Sequence, residues 1–205
     1  ADLSYLKEEI PAAVSQTLDG VQRVTKIVRA MKDFAHSDQG SKSMVAINEM
    51  LESTLTVARN ELKYVADVET DFDPELPQIE CHRDDLNQVF LNLLVNAAHA
   101  IVDVIGDSPE NKGTITVATS REGNNIAIRI SDTGSGISKE IQHRIFDQFF
   151  TTKDVGKGSG QGLAIARAII TEKHQGELTF ETEEGKGTTF IIRLPITTPE
   201  LVEAP

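Results

Sequence analysis

The apolar residues in the first 35 positions recur at steps of three and four. They are Leu6, Ile10, Val14, Leu18, Val21, Val24, Val28 and Met31. This spacing predicts one long helix with a narrow apolar seam, of the kind found in coiled coils and helical bundles. Pro11 should bend its first turns. Because a single amphipathic helix cannot bury its own seam, we expect a partner helix, or failing that the rest of this chain, to cover it.

After a polar linker at residues 37–43, helical and strand patterns alternate. The patterns predict helices at Asn48–Lys63, Arg83–Ile105 and Gly162–His174, and a short one at Ile141–Phe149. Strands are predicted at Val65–Phe72, Thr114–Ser120, Asn125–Ser131, Glu177–Thr182 and Thr188–Leu194. The last four strands form two hairpins. Hairpins mixed with helices predict a two-layer α/β sandwich, with a mixed sheet and helices on one face, preceded by the long helix.

Length, charge and cysteine content narrow the class of protein. A chain of 205 residues is long enough for one sizeable α/β domain plus a small extra element. The formal net charge of −12 argues against a general nucleic-acid binder, although a small anionic ligand needs only a local positive pocket. Cys81 is the single cysteine, which fits a reducing compartment and leads us to expect a cytoplasmic location.

The longest apolar run, Val89–Ile105, contains several polar residues and is too polar to span a membrane unaided. We also find no signal-peptide pattern at the start of the sequence. These observations leave open a membrane anchor elsewhere in a full-length protein.

Asn92 and Asn96 lie in the apolar helix predicted at Arg83–Ile105. They are four residues apart and share one helical face, where an unused amide would carry a desolvation cost. An amide oxygen suits Mg²⁺, which takes few protein ligands beside nucleotide phosphates. His99 follows one turn later and is spaced to meet a phosphate. Taken alone, the pattern is equally compatible with amides that cap or cross-link buried backbone.

Asp132 comes at the end of a predicted strand, and the chain turns directly after it at Gly134 and Gly136. Glycines there would let the backbone approach a flat ligand closely. A buried carboxylate can accept a hydrogen bond from the adenine amino group, and it would reject guanine, which presents a carbonyl at that place. Taken alone, the segment is more typical of an ordinary Asp-Thr-Gly turn.

Alternate glycines run into the last predicted helix, at Gly156, Gly158, Gly160 and Gly162. Backbone amides at a helix N-terminus bind phosphate, and Lys153 and Lys157 add positive charge to an otherwise acidic chain. So many glycines indicate a mobile lid, with a flexible surface loop as the alternative. The pattern is neither a Walker P-loop nor the Gly-x-Gly-x-x-Gly fingerprint.

In combination these segments resemble the GHKL (Bergerat) family of ATP-binding domains. The family's order is an asparagine box, an Asp-x-Gly-x-Gly box, a Phe-Phe segment, a glycine-rich lid and a Gly-Thr-x-Phe strand, and residues 45–196 follow it. Within the family the chain is most similar to histidine kinases of two-component systems. Phe146–Lys153, followed by the glycines, is similar to the nitrogen-regulation type of sensor kinase. The resemblance implies the Bergerat fold, with ATP and Mg²⁺ as ligands.

The resemblance also implies roles for individual residues. The metal ligand would be Asn96, which would bind Mg²⁺. The base would be bound by Asp132, Gly134, Gly136 and Thr188, with Asp132 reading the adenine amino group. The phosphates would be contacted by Asn92, His99, Lys153, Lys157, Gly158, Gly160 and Gly162. The family pattern is broken at Gln161, which replaces the usual lid leucine, and at Ala100, which replaces an aromatic residue that often covers the base.

Residues 1–40 resemble the second helix of the kinase dimerisation hairpin, and residues 41–205 resemble the catalytic ATP-binding domain. The first hairpin helix carries a phosphoaccepting histidine followed by Glu or Asp, and no such motif occurs in this sequence. The implied partners are ATP, an acceptor-histidine helix of the full-length kinase, a response regulator receiver domain and, in the full-length protein, a second copy of the chain. Nucleic acid is not among them.

Three functions compete on these residues. The first is phosphotransfer from ATP to a histidine on a separate helix. The second is an ATP-hydrolysing clamp of the gyrase, chaperone or mismatch-repair kind. Those relatives place a glutamate base one turn before the magnesium asparagine, whereas Asn92 stands there and its amide cannot take a proton from water. The third is a scaffold that has lost nucleotide binding, which disagrees with the intact Asn96, Asp132 and glycines. We expect a kinase domain that does not phosphorylate itself.

Overall fold

The computed structural model describes residues 41–106, 111–153 and 158–196. The helix predicted at residues 2–35, the dimerisation segment 1–40 and Lys157 lie outside the described residues. In chain order, the elements are β1 (Ser43–Val45), α1 (Ile47–Leu62), β2 (Ala66–Phe72), β3 (Ile79–Cys81), α2 (Arg83–Ile105), β4 (Gly113–Glu122), β5 (Asn125–Asp132), α3 (Gly162–Ala168), a π-helical turn (Ile169–Lys173), β6 (Glu177–Glu183) and β7 (Gly187–Pro195).

Five strands form one mixed sheet in the order β2-β4-β5-β7-β6. Strand β2 runs parallel to β4, and the other neighbouring strands are antiparallel. The register places Asp132, at the end of β5, opposite Thr188 at the start of β7. The two residues predicted to bind the base are therefore brought together by strand pairing alone.

The helices cover one face of this sheet and confirm the predicted two-layer arrangement. Alternate strand residues point towards the helices and are buried, including Ile115, Val117, Ile126, Ile128, Ile130, Phe190, Ile192 and Leu194. The central helix α2 contacts α1, α3 and strands β4, β5 and β7. The opposite face of the sheet carries the ion pairs of Glu122 with Arg129 and Arg193, next to the apolar residues Ala127 and Ile191. Each fully buried large apolar side chain contributes about 1.5–3 kcal/mol to stability, so this one core holds both layers together.

Helix α2 is also long and apolar enough, by length and composition, to cross a membrane, and among the described helices it alone meets that criterion. In this structure many of its apolar residues lie in the core, whereas Val102 and Val104 near its end are exposed. Those buried include Leu86, Val89, Phe90, Leu93, Leu94 and Ile101. The core helix of a domain needs the same composition.

Most predicted elements are confirmed to within two residues at either end. The prediction of a short helix at Ile141–Phe149 is wrong. This segment instead forms successive turns, in which a backbone N–H donates to the carbonyl oxygen three residues earlier. Adjacent apolar residues, such as Ile145 and Phe146, would point about 100° apart on a helix. The turns instead bury Ile145 in the core and bring the Phe146 ring to 6.0 Å from that of Phe180.

The helix predicted at Gly162–His174 exists, but Ile169–Lys173 is π-helical. His174, directly after it, has its Nδ1 2.9 Å from the carbonyl oxygen of Ile169, and its Nε2 accepts a hydrogen bond from the backbone N–H of His82 at 3.1 Å. The widened turn thus coincides with a buried histidine that ties it to the start of α2. Strands β1 and β3, which pair antiparallel, were not predicted, since three residues are too few to show alternation.

Candidate functional site

The carboxylate of Asp132 is the best-defined polar group of the site. Asp132 is only 8% exposed. Its Oδ1 accepts hydrogen bonds from the backbone N–H groups of Gly134 at 2.8 Å and Thr188 at 3.3 Å. None of the described residues donates a hydrogen bond to Oδ2. Two strands therefore fix the carboxylate, while one oxygen keeps its acceptor capacity for a ligand.

Burial raises the pKa of the Asp132 carboxyl, and the hydrogen bonds from Gly134 and Thr188 oppose this rise. A raised pKa means that the folded protein disfavours the charged form of this side chain. Groups that remain charged against such a penalty are concentrated at binding and catalytic sites. Burial thus distinguishes Asp132 from a solvent-exposed turn aspartate, and its role as a binding residue stays a prediction.

The loop after Asp132 packs directly on the backbone of α2. A Cβ atom at Gly134 would lie 2.5 Å from the carbonyl carbon of Ala100, so only glycine fits there. The backbone N–H of Ser135 donates to the carbonyl oxygen of Ala100 at 3.0 Å. Because Ala100 lies one turn after Asn96, helix α2 connects the predicted base pocket with the predicted metal ligand.

The other side of this loop is attached to the β6–β7 hairpin. Gly136 has a φ of +68°, and a Cβ atom there would lie 2.3 Å from the carbonyl oxygen of Glu183. The backbone N–H of Gly185 donates to the carbonyl oxygen of Ser135 at 2.7 Å. The segment Gly185–Pro195, which reads by itself as a simple turn and strand, therefore closes one wall of the site.

Thr182 is a site residue that the sequence did not reveal. Its hydroxyl accepts from the backbone N–H of Ile137 at 2.9 Å, donates to the carbonyl oxygen of Gly187 at 3.0 Å and lies 3.0 Å from the Thr188 hydroxyl. It thereby links three segments around Asp132. A threonine in an alternating strand gives no signal of this role, because the contacts depend on the hairpin register.

The two asparagines of α2 differ in their surroundings. Asn92 Nδ2 donates to the carbonyl oxygen of Gly162 at 3.3 Å, which cross-links α2 to the start of α3. Asn96 is half-buried, and its amide forms no hydrogen bond with any residue in the described ranges. The cross-linking alternative therefore holds for Asn92, whereas the amide oxygen of Asn96 is available to a metal ion.

This donor set fits Mg²⁺ in one specific way. Within residues 41–106, 111–153 and 158–196, no group of three or more His, Cys, Asp or Glu side chains is placed to hold a metal. Mg²⁺ usually keeps several waters and binds through one or two protein oxygens together with nucleotide phosphates. A single amide from Asn96 suits that mode of binding and does not suit a metal held by the protein alone.

His99 and Lys153 bring the glycine-rich segment to α2. Lys153 Nζ lies within hydrogen-bonding distance of His99 Nδ1. Burial lowers the pKa of the Lys153 ammonium, and the negative charge of Asp103 opposes this lowering. The contact puts two nitrogen-bearing side chains one turn beyond Asn96, where both can donate hydrogen bonds to a phosphate.

Two stretches of the glycine-rich segment, residues 149–153 and 158–160, pack against each other. A Cβ atom at Gly158 would lie 2.6 Å from the Thr151 hydroxyl oxygen, and one at Gly160 would lie 2.5 Å from the carbonyl carbon of Phe149. Gly160 has a φ of +64°, and Phe149 has a φ of +66° with its side chain 61% exposed. A left-handed phenylalanine is uncommon and marks a constrained backbone.

The predicted site residues therefore form two groups joined by α2. Gly134 and Thr188 donate hydrogen bonds to Asp132, and Gly136 packs on Glu183 of the adjoining β6–β7 hairpin. Asn92 contacts Gly162, His99 contacts Lys153, and Gly158 and Gly160 pack on residues 149–153. Lys157 lies outside the described residues.

The sequence of the chain also matches known proteins. Residues 81–198, more than half of the chain, match the profile of the family described as "Histidine kinase-, DNA gyrase B-, and HSP90-like ATPase". The chain is 33% identical over 185 residues to the signal transduction histidine-protein kinase AtoS of Escherichia coli (strain K12), a match that covers 89% of this chain and 29% of AtoS. The chain spans less than half the length of the curated relatives it matches.

Solved structures give the same result for the fold. The catalytic domain of histidine kinase ThkA, free of nucleotide, superimposes with a TM-score of 0.66 at 28% identity, over 78% of this chain and 100% of that chain. The structure of ThkA in complex with response regulator protein TrrA has a TM-score of 0.68 at 24% identity, over 96% of this chain and 53% of that chain, and supports the fold alone. The chain therefore belongs to the family of histidine kinase-, DNA gyrase B- and HSP90-like ATPases, and it carries the ATP-binding catalytic domain of the sensor histidine kinases.

Proposed function

We propose that this chain acts as the ATP-binding part of a sensor histidine kinase of the nitrogen-regulation type, working in the cytoplasm. Residues 41–205 would form the catalytic domain, and residues 1–40 the second helix of the dimerisation hairpin. The γ-phosphate of ATP would pass to a histidine on a helix outside this sequence and then to a response regulator. The full-length protein would act as a homodimer, as the hairpin resemblance implies. The observation that carries the proposal is the fixed, buried carboxylate of Asp132 with one oxygen left to a ligand.

The proposal assigns adenine to Asp132. Its Oδ2 would accept a hydrogen bond from the adenine amino group, a charge-assisted bond worth about 1.5–3 kcal/mol. The carbonyl of guanine would repel the same oxygen. Gly134 and Gly136 allow backbone to approach the flat base, and Thr188 would add a hydroxyl, directly or through water.

The proposal assigns the phosphates to the other group of residues. Asn96 would hold Mg²⁺ and Asn92 would support the phosphates. The remaining phosphate contacts would come from His99, Lys153, Lys157, Gly158, Gly160 and Gly162. Mg²⁺, when bound, would supply charge neutralisation at the phosphates. Phosphoryl transfer needs little covalent chemistry from the protein, so these residues would act by positioning and by charge.

Hydrolysis of ATP is the less favoured function for a specific structural reason. The residue one turn before Asn96 is Asn92, and its amide nitrogen already donates to the carbonyl oxygen of Gly162. An amide cannot accept a proton from an attacking water. None of the contacts described above offers a replacement base at that position, so we rank a clamp-type ATPase below phosphotransfer.

A calorimetric titration with Mg-ATP and Mg-GTP tests the binding half of the proposal. We expect Mg-ATP to bind about ten-fold or more tighter than Mg-GTP, because only adenine presents an amino group to Asp132. Equal affinity for the two nucleotides would contradict the assignment of Asp132. Absence of any binding would support the scaffold alternative.

Incubation with γ-labelled ATP tests the transfer half. The chain alone should acquire no stable label, whereas a dimerisation hairpin carrying a His-Glu motif, added in trans, should acquire an acid-labile label. Acid-labile label on this chain by itself would contradict the proposal. Rapid release of free phosphate without any labelled protein would favour the hydrolytic clamp.

A further inference from the structure

Gln161 carries a buried polar atom that the protein leaves unsatisfied. Gln161 directly precedes α3, and its side chain makes no capping hydrogen bond there. Its Oε1 is inaccessible to solvent and has no hydrogen-bond partner, which is true of no other buried side-chain oxygen or nitrogen in the described part of the chain. An unsatisfied buried amide oxygen costs about 1–3 kcal/mol, so this oxygen calls for a physical explanation.

The main chain around Gln161 is fixed on both sides, so Oε1 can reach a ligand only by rotation of the side chain. Its backbone carbonyl accepts the first helical bond from the N–H of Ile165 at 2.9 Å. On one side, Gly160 packs against the backbone of Phe149. On the other, Gly162 accepts a hydrogen bond from Asn92. The residue is therefore held at the junction between the glycine-rich segment and α2.

This junction lies at the phosphate end of the proposed nucleotide site. Asn92, which contacts the residue after Gln161, shares a helical face with Asn96. A leucine, the usual residue at this position in the family that the chain resembles, would fill the same partly buried place without burying a polar atom. The presence of glutamine at this position is explained if its side-chain oxygen gains a hydrogen-bond donor when the nucleotide binds.

Mg-ATP offers only a few kinds of donor to such an oxygen. The triphosphate is an acceptor at neutral pH, and the adenine amino group, one N–H of which is assigned to Asp132, would lie at the base end of the proposed site. The remaining donors are O–H groups, which are the ribose hydroxyls and the waters that Mg²⁺ retains. Both present the same chemistry to an amide oxygen.

We propose that Gln161 is a nucleotide-binding residue whose buried Oε1 accepts a hydrogen bond from an O–H group of bound Mg-ATP, either a ribose hydroxyl or a metal-bound water. This inference rests on the proposed function, since it requires that Mg-ATP occupy the site. It adds a contact from a residue that departs from the family pattern. It also implies that the ligand-free protein carries a local penalty that binding relieves.

Gln161→Leu separates this role from a structural one, because it should move two measurements in opposite directions. In the ligand-free chain it removes an unsatisfied buried atom, so the melting temperature should rise by about 2–4 °C. Calorimetry should show Mg-ATP binding about three- to ten-fold more weakly than in the wild type. Gln161→Met, which preserves side-chain length, should behave alike and covers the case in which leucine packs poorly. Gln78→Leu, at an exposed position, is the matched control and should change neither measurement.

Further titrations of the wild type and Gln161→Leu distinguish the two donors. If a ribose hydroxyl is the donor, the affinity difference between the proteins should vanish with either 2′-deoxy-ATP or 3′-deoxy-ATP. If a metal-bound water is the donor, the difference should persist with both deoxynucleotides and vanish for ATP in EDTA. Either result supports the proposal.

Wild-type affinity for Mg-ATP in both Gln161 variants would overturn the inference and leave the proposed function intact. So would a loss of the same size in Gln78→Leu. Failure of the wild-type chain itself to bind Mg-ATP would overturn the proposed function and this inference together, and that outcome is visible before any variant is made.

Discussion

The two ends of the proposed nucleotide site differ in how much of their geometry the protein fixes by itself. At the base end, Asp132 is held by two backbone N–H groups, and the loop after it is fastened to both Ala100 and the β6–β7 hairpin. At the phosphate end, neither the amide of Asn96 nor Oε1 of Gln161 has a hydrogen-bond partner among the described residues.

The difference indicates a division of roles between the two ends. A pre-organised base pocket recognises adenine without a further ordering cost. The phosphate end contains polar atoms whose partners are to come from the ligand, so its stability should depend on nucleotide. Substitutions at the base end should therefore reduce affinity or unfold the pocket. Substitutions at the phosphate end should be tolerated, or even stabilising, in the ligand-free protein.

The largest effect on binding should come from Asp132→Asn. Asparagine keeps an acceptor oxygen for the N–H groups of Gly134 and Thr188, but its amide nitrogen would replace Oδ2 and oppose the adenine amino group. We expect ATP affinity by calorimetry to fall about 10- to 100-fold, as for loss of a charge-assisted hydrogen bond. Asp71→Asn, a change of the same kind at an exposed strand position, is the control and should bind ATP normally.

The same variant should be at least as stable as the wild type without nucleotide. Because burial raises the pKa of Asp132, the charged carboxylate is disfavoured in the folded state at neutral pH. The neutral amide removes that penalty, so urea unfolding should show an equal or higher free energy of unfolding at pH 7. A loss of stability together with a loss of affinity would mean that Asp132 only supports the loop.

The second effect concerns stability and compares glycine-to-alanine substitutions at the base end and at the phosphate end of the proposed site. Gly134→Ala would place a methyl group 2.5–2.6 Å from backbone and side-chain atoms of Ala100, so it should lower the free energy of unfolding by about 1–3 kcal/mol. Gly162→Ala meets nothing closer than 3.6 Å, at Asn92, and lies in a helix. It should be neutral or stabilise by about 0.5–1 kcal/mol. Urea unfolding of both variants measures the difference, and equal destabilisation would contradict the proposed contrast.

The same contrast explains what could be predicted from the sequence. Helix and strand periodicity located the central helix and the two hairpins, and the strand register then brought Asp132 to Thr188. The role of Thr182 was not predictable, because its three hydrogen bonds depend on how the hairpin lies against the loop. The turns at Ile141–Phe149 were missed, since their apolar residues resemble a helical pattern locally while their packing on Phe180 is a long-range contact.

The departures from the family pattern gain a different meaning from the structure. Ala100 lies against Gly134, and its carbonyl oxygen accepts a hydrogen bond from Ser135, so a larger side chain at this helix position would have to be accommodated beside the loop. Gln161 shows no anomaly in sequence beyond its polarity, and only its burial makes the oxygen informative. The spacing of residues in the sequence can place a polar residue in a site, but whether its hydrogen-bonding atoms have partners depends on tertiary contacts.

The smallest effect concerns His174, a buried side chain whose two ring nitrogens both have hydrogen-bond partners in the protein. Its Nε2 accepts from the N–H of His82, so the neutral ring carries its proton on Nδ1, which donates to Ile169. Burial is the main cause that lowers the pKa of His174, and His82 and Lys42 lower it further, while the bond to Ile169 and the charge of Asp85 oppose them. Protonation would remove the acceptor for His82.

Because the pKa of His174 is lowered on folding, the unfolded chain binds the proton more readily, and the contribution of His174 to stability falls as the pH drops below about 6.5. We expect urea unfolding to show a loss on the order of 1 kcal/mol between pH 7.5 and 5.5, the contribution of one buried hydrogen bond. His174→Gln, which keeps an acceptor without a titrating ring, should flatten this dependence, whereas His143→Gln at an exposed position should not. Saturating Mg-ATP should leave this pH dependence of the free energy of unfolding unchanged, because both ring nitrogens of His174 already have partners within the protein and need none from the ligand. If Mg-ATP changed how steeply the free energy of unfolding depends on pH, the surroundings of His174 and the proposed nucleotide site would be energetically coupled.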